Sequence, residues 1–158
     1  MKLLTFTVPC YNSQDYMRRC VDSLLVGGED VEIIIVDDGS SDDTGAIADA
    51  YAEKYPSIVR AIHQENGGHG AGLNAGLNHA TGLYFKVVDS DDWVDEASYR
   101  QILDALHNLC SAGCMLDMMI SNFVYEKEGE ERKKVMKYHH ALPKDQIFTW
   151  KDVKNFRV

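Results

Sequence analysis

The run Val31-Glu32-Ile33-Ile34-Ile35-Val36 constrains the fold of this chain more than any other segment. β-Branched residues in near-continuous sequence suit a strand covered on both faces, which is the setting of a parallel sheet. Its surroundings repeat one pattern. Leu3 to Val8 is a short apolar run ended by Pro9, and Ser13 is expected to cap a helix carrying Tyr16, Cys20, Leu24 and Leu25 before Gly27-Gly28. After the second strand, Ser41 or Asp42 is expected to cap a helix marked by Ile47, Ala48, Tyr51 and Tyr55, which Pro56 ends. Ile58 to Ile62 reads as a third strand, Ala71 to Ala80 as a short helix closed by Gly82, and Leu83 to Val88 as a fourth strand. Tyr99, Ile102, Leu103, Leu106, Leu109 and Cys110 then mark a helix that Gly113 terminates. Strands alternating with helices of this length predict an α/β fold with a mostly parallel sheet and right-handed crossovers.

The pattern changes past Cys114. Leu116 to Tyr125 reads as another strand, Glu126 to Lys134 as a charged hairpin or solvated loop, and Thr149-Trp150-Lys151-Asp152 as a capping box that opens a helix. A chain of 158 residues has the length of one domain, and its 16 basic against 25 acidic residues argue against a nucleic-acid backbone as partner. Cys10, Cys20, Cys110 and Cys114 form no CxxC units, which argues against structural zinc. Scattered cysteines, no recognisable signal peptide and no apolar run of membrane length point to a cytoplasmic setting.

The chemistry gathers where the strands end. In an open parallel sheet, ligands bind at the carboxyl ends of strands near the point where strand order reverses. The first strand delivers Pro9-Cys10-Tyr11-Asn12, with a ring able to stack on a flat base and an amide able to donate and accept. The second delivers Asp37-Asp38, able to accept a nucleobase N–H, and the fourth delivers Asp89-Ser90-Asp91-Asp92. Crowded carboxylates at the end of a buried strand invite a hard divalent cation, with Asp89 and Asp91 as its ligands. The plainer reading is a helix N-terminus capped by Ser90 or Asp91.

Together Val36-Asp37-Asp38-Gly39-Ser40-Ser41-Asp42-Asp43-Thr44, the Pro9-Cys10-Tyr11-Asn12 turn and Val88-Asp89-Ser90-Asp91-Asp92-Trp93 resemble family 2 glycosyltransferases of the GT-A fold. The resemblance implies a Rossmann-like three-layer α/β/α sandwich. It also implies an inverting enzyme that transfers a sugar from a nucleotide-diphosphate sugar to an acceptor hydroxyl with Mg²⁺ or Mn²⁺, in synthesis of cell-surface polysaccharide or glycoconjugate. Pro9, Tyr11, Asn12, Asp37 and Asp38 would contact the nucleotide, Asp89 and Asp92 would serve it as well, and Asp89 with Asp91 would form the DxD metal element. A UDP-sugar is the favoured donor, and the acceptor is a glycan or a lipid-linked sugar that would bring the full-length enzyme to the cytoplasmic face of the membrane. The family's Asn-x-Gly-x-x-x-Ala-Arg-Asn-x-Gly segment is matched by Asn66 to Gly76, with Leu73 at the arginine position. His69 or Lys86 is then expected to supply the donor contact, while the glycines read equally well as loop and helix-packing residues.

No residue reads as the catalytic base. Glu126, Glu128, Glu130 and Glu131 fit a solvated run, so residues 1–125 are expected to form the nucleotide-sugar-binding core and 126–158 the start of an acceptor-side region, with the base beyond Val158. Two alternatives remain open, a non-catalytic nucleotide-sugar-binding module and a sugar-nucleotide pyrophosphorylase. The second is disfavoured because no glycine-rich basic loop follows the first strand. Trp93 is expected to anchor its loop by packing.

Overall fold

The computed structural model describes residues 1–126 and 133–153 and divides into two compact units, Met1–Cys114 and Met115–Val158. In the first unit β1 (Leu4–Cys10), α1 (Met17–Leu25), β2 (Val31–Asp37), α2 (Thr44–Lys54), β3 (Val59–His63), α3 (His69–His79), β4 (Tyr84–Val87) and α4 (Glu96–Ser111) alternate as expected. The strands form one sheet in the order β3-β2-β1-β4, every pairing parallel. Strand order reverses between β1 and β4, and that crevice is where such a sheet holds a ligand.

Burial explains the register. All seven residues of β1 and all seven of β2 are buried, so the β-branched run lies inside the sheet as its composition requires. Pro9 sits within β1 opposite Val36, beyond the last β4 pairing at Thr7, so no ladder neighbour on that side demands the missing N–H. Helix α1 buries Met17, Cys20, Val21 and Leu24, the i, i+3, i+4, i+7 face of an amphipathic helix. Phe6 and Tyr99 meet edge to face at 5.5 Å, tying α4 to the central strand.

The caps differ from the sequence reading. Helix α1 begins at Met17 without a side-chain cap; Ser13 supplies only its carbonyl, which accepts the N–H groups of Tyr16 and Met17. Before α2 it is the Asp42 carboxylate that accepts the Thr44 N–H at 2.9 Å. Helix α3 starts two residues before Ala71 and ends at His79, so Gly82 does not close it; Gly82 instead donates its N–H to Thr5 Oγ1 at 2.9 Å. Asp95 caps α4 through the Ser98 N–H at 2.9 Å, which removes Ser90 and Asp91 from that role. Gly113 follows α4 with φ +70°, the left-handed geometry of a helix stop.

In the second unit only Phe123–Tyr125 of the expected Leu116 to Tyr125 strand is extended, as β5, pairing antiparallel with β6 (Lys134–Met136). Glu128, Glu130 and Glu131 lie outside the described residues. The reciprocal Thr149 and Asp152 capping box is present, but the described residues continue it only as a 3-10 turn, Trp150–Asp152. No helix among the described residues is long and apolar enough to cross a membrane.

Candidate functional site

Tyr11 projects from a sharp turn at the end of β1, and the residues after it fasten that turn to the loop after β2. Asn12 adopts φ +49°, a left-handed conformation that asparagine tolerates. Its N–H donates to Ser40 Oγ at 3.0 Å, and its side-chain carbonyl accepts the Ser41 N–H at 2.9 Å and the Ser41 hydroxyl at 3.3 Å. Ser13 N–H donates to Thr44 Oγ1 at 2.7 Å, and Gln14 Oε1 accepts the Asp43 N–H at 3.0 Å. The amide oxygen of Asn12 is therefore a structural acceptor.

The adjacent aspartates at the end of β2 face different surroundings. Asp37 accepts the Ser40 N–H at 3.1 Å and meets His63 Nδ1 at 3.1 Å, while His63 Nε2 meets Asp49 at 2.9 Å. Asp38, 4% exposed, accepts Gln64 Nε2 at 2.6 Å and the Gly67 N–H at 2.9 Å on Oδ1, and the Gly68 N–H at 2.8 Å on Oδ2. Burial opposes its charge, but the N–H groups of Gly67, Gln64 and Gly68 outweigh that and hold the carboxyl below the usual range. Three of roughly four acceptor positions are filled, which leaves Oδ2 room for one more donor. Gly68 has φ +83°, so a side chain there would strain the backbone that presents its N–H.

A cavity of about 300 Å³ opens beside these groups. Of the expected nucleotide contacts it is lined by Pro9, Tyr11, Asp38 and His69, joined by Cys10, Asn66, Gly68 and Gly72. Tyr11 is 55% exposed, leaving most of its ring open for stacking. Burial, with Asp37 nearby, pushes the Cys10 thiol up to about 12, so it lines the cavity as a neutral group. Asn12, Asp37, Asp89, Asp91 and Asp92 do not line the cavity. A second depression of about 350 Å³ runs beside Ser57 to Ala61 at the β3 edge. It holds none of the strand-end clusters, and its Glu32 carboxylate is engaged by Thr5 and Thr81.

The acidic turn after β4 borders the 300 Å³ cavity through His69, whose Nε2 lies 3.8 Å from Asp89 Oδ1. Asp92 N–H closes the turn on the Asp89 carbonyl at 2.9 Å. Partial burial, then the charges of Asp91 and Asp89, raise the Asp92 carboxyl, and Lys86 works the other way. Crowded, partly open carboxylates fit a hard cation such as Mg²⁺ or Mn²⁺. Among the described residues no three His, Cys, Asp or Glu side chains converge into a cage, so ligand oxygens and water would have to complete the coordination of a cation held by Asp89 and Asp91. Trp93 carries the Arg19 guanidinium 3.3 Å from its ring centroid, in keeping with an anchoring role.

Several residues here escape a reading of the sequence. Gln64, Gly67 and Gly68 hold Asp38, and Ser13 meets Ser90 with hydroxyl oxygens 2.9 Å apart. Ser90 is flanked by the very aspartates that draw attention, yet nothing local announces a partner 77 positions away.

Comparison with known proteins matches residues 5–151 to the sequence profile of Glycosyl transferase family 2. The glycosyltransferase GlyA of Streptococcus pneumoniae is 35% identical over 144 residues, 88% of this chain and 19% of GlyA. Among solved structures, S. aureus TarS 1-349 in complex with UDP superposes with a TM-score of 0.60 at 29% identity, over 68% of this chain and 32% of that one. The mannosyltransferase PcManGT of Pyrobaculum calidifontis, in complex with GDP-Man and Mn²⁺, gives 0.52 at 27% identity, over 57% of this chain and 28% of that one. The chain thus spans less than a third of each of these three proteins.

Proposed function

The chain belongs to glycosyl transferase family 2, and on that premise we propose that the cavity at the carboxyl ends of β1 and β2 binds the nucleotide of a nucleotide-diphosphate sugar, a UDP-sugar by preference, for transfer to an acceptor hydroxyl. The observation that carries the reading is the 300 Å³ cavity, at which Tyr11 after β1, Asp38 after β2 and His69 at the start of α3 converge, with Asp89 3.8 Å from His69. Tyr11 stacks on the base, and the open position on Asp38 Oδ2 accepts a ring N–H. A uracil, with one ring N–H opposite a carboxylate, suits that wall, and the UDP complex of TarS is in keeping with it.

His69 stands where the diphosphate would leave the base pocket, and it takes over the contact that Leu73 cannot make at the family's arginine position. Asp89 and Asp91 hold Mg²⁺ or Mn²⁺, with Asp92 beside them. Such a cation, when bound, supplies neutralisation of the charge that develops on the departing diphosphate. The Asp38 carboxylate is occupied by Gln64, Gly67 and Gly68, whose donors lower its basicity and suit it to accept a base N–H rather than to take up a proton. In the complete reaction the sugar is transferred with inversion, in the making of surface polysaccharide or glycoconjugate. Residues 1–125 form the donor side and 126–158 begin the acceptor side.

Calorimetric titration with UDP, GDP and dTDP, with and without Mn²⁺, tests the reading alongside Asp91→Ala. The expected result is metal-dependent binding of UDP that the variant loses. Equal indifference to all three nucleotides by a folded chain would overturn it.

A further inference from the structure

Two buried hydroxyls join the two halves of the crevice. Ser13 Oγ and Ser90 Oγ lie 2.9 Å apart, and Ser13 Oγ also accepts the Tyr11 N–H at 3.2 Å. Tyr11 lines the cavity, whereas Ser90 sits between Asp89 and Asp91 in the acidic turn. Ser13 is 1% exposed and Ser90 8%, so water does not readily replace either partner. Further contacts to the acidic turn and the residues after it come from α1, which begins at Met17. Cys20 Sγ donates to the Asp89 carbonyl at 3.5 Å, Ser23 Oγ accepts the Val94 N–H at 3.2 Å, and Arg19 stacks on Trp93 at 3.3 Å. One stretch, residues 11–23, therefore presents the aromatic ring at its start and holds the carboxylate turn along its length.

We propose that the Ser13–Ser90 contact is a latch through which the base-binding turn and the cation-binding turn are coupled, so that filling either site favours filling the other. The inference rests on the donor-site reading above. Its physical ground is that the Ser13–Ser90 bond is the buried hydroxyl contact between the two turns, so moving one turn away from the other costs that pairing where water does not readily replace it. A ligand that immobilises one turn also orders the other, and the second ligand meets a site already ordered. Such coupling is reciprocal by linkage. Ser13 and Ser90 are positioning residues in this scheme; neither lines the cavity.

UDP cannot test the latch, because its phosphates would meet the cation directly. Uridine can, since it carries the base and ribose alone. The experiment is an NMR-detected titration of the full chain with uridine, with and without saturating Mg²⁺, and of Mg²⁺ with and without uridine. The wild-type protein should show the same enhancement in both directions, about fivefold, at the low end of usual allosteric couplings. Ser90→Ala should bring that ratio to one, and Ser90→Thr, which keeps the hydroxyl, should preserve it. Ser13→Ala serves as the second variant if Ser90→Ala does not fold, with loss of the ratio again expected. A wild-type ratio of one for uridine, or an unchanged ratio in a folded alanine variant, would overturn the latch while UDP binding with Mg²⁺ left the donor site standing. Failure of the wild-type chain to bind UDP under any of these conditions would sink the donor site, and the latch with it.

Discussion

Asp38 bears more of the site than its neighbours in sequence. Its three N–H donors come from one loop, residues 64–68, so the same carboxylate that lines the cavity also holds the cavity wall in shape. Asp38→Asn keeps the volume but turns an NH₂ group toward one of those donors. We expect it to lower stability by about 2 kcal/mol, the scale of a lost hydrogen bond to a buried charge, and to abolish UDP binding. Urea denaturation and calorimetry read the two effects separately. His63 offers a test through pH. Both ring nitrogens face carboxylates, first Asp49 and then Asp37, and these raise its affinity for a proton above that of an ordinary histidine. A raised folded-state value means that the stabilisation is complete below the unfolded pKa and is lost as pH rises through the folded one. The urea midpoint of the wild type should therefore fall as pH rises above the ordinary histidine value of about 6.5, and that of His63→Gln should be flatter over the same rise. The residues alone mark the aspartate pair, and only the family resemblance singles out Asp38 within it for the base. Successive strand residues point to opposite faces, so one of Asp37 and Asp38 had to turn from the crevice, and which one depends on the sheet register. Ser90 is hidden for another reason, because its partner is fixed only once β1 and β4 lie side by side.

Between elements, α3 lies close against β1. A Cβ on Gly76 would overlap the side chain of Thr7, and one on Gly72 would lie 3.3 Å from Pro9 Cβ. Helix α3 can bring His69 to the cavity only by lying this near the central strand. Gly76→Ala sets two effects against each other, since alanine favours the helix by about 1 kcal/mol while overpacking costs about 1 to 3 kcal/mol. The overlap is with a β-branched side chain held inside a strand, so packing should win and the urea midpoint should drop. An unchanged or raised midpoint would mean that α3 shifts outward at little cost. The alternation of strand and helix was legible because each period lasts long enough to be counted. Leu116 to Tyr125 failed as a strand because apolar residues define one only where a ladder partner exists, and β6 pairs with only the last three. The helix starts were misread for a related reason. Ser13, Ser41 and Asp42 are good capping residues, but Ser13 and Ser41 are drawn into bonds with Ser90, Thr44 and Asn12 from other elements.

At the scale of the molecule, every residue that lines the crevice, and every hydrogen bond described above for Asp38 and for the turns at Tyr11 and Ser90, belongs to Met1–Cys114. That unit contains the whole parallel sheet and four helices, and about 100 residues suffice for an independent core. A fragment of residues 1–114 should therefore melt in one cooperative transition and bind UDP with Mn²⁺ as the 158-residue chain does. Circular dichroism on heating checks the first expectation, and parallel calorimetric titrations check the second. A folded fragment whose UDP affinity fell by about tenfold, or 1.4 kcal/mol, would mean that residues 115–158 supply contacts to the nucleotide. A fragment that kept its affinity would locate donor recognition in the sheet and its strand-end loops alone. Under that result Asp38 would belong to the donor side alone, its carboxylate being already committed to Gln64, Gly67 and Gly68.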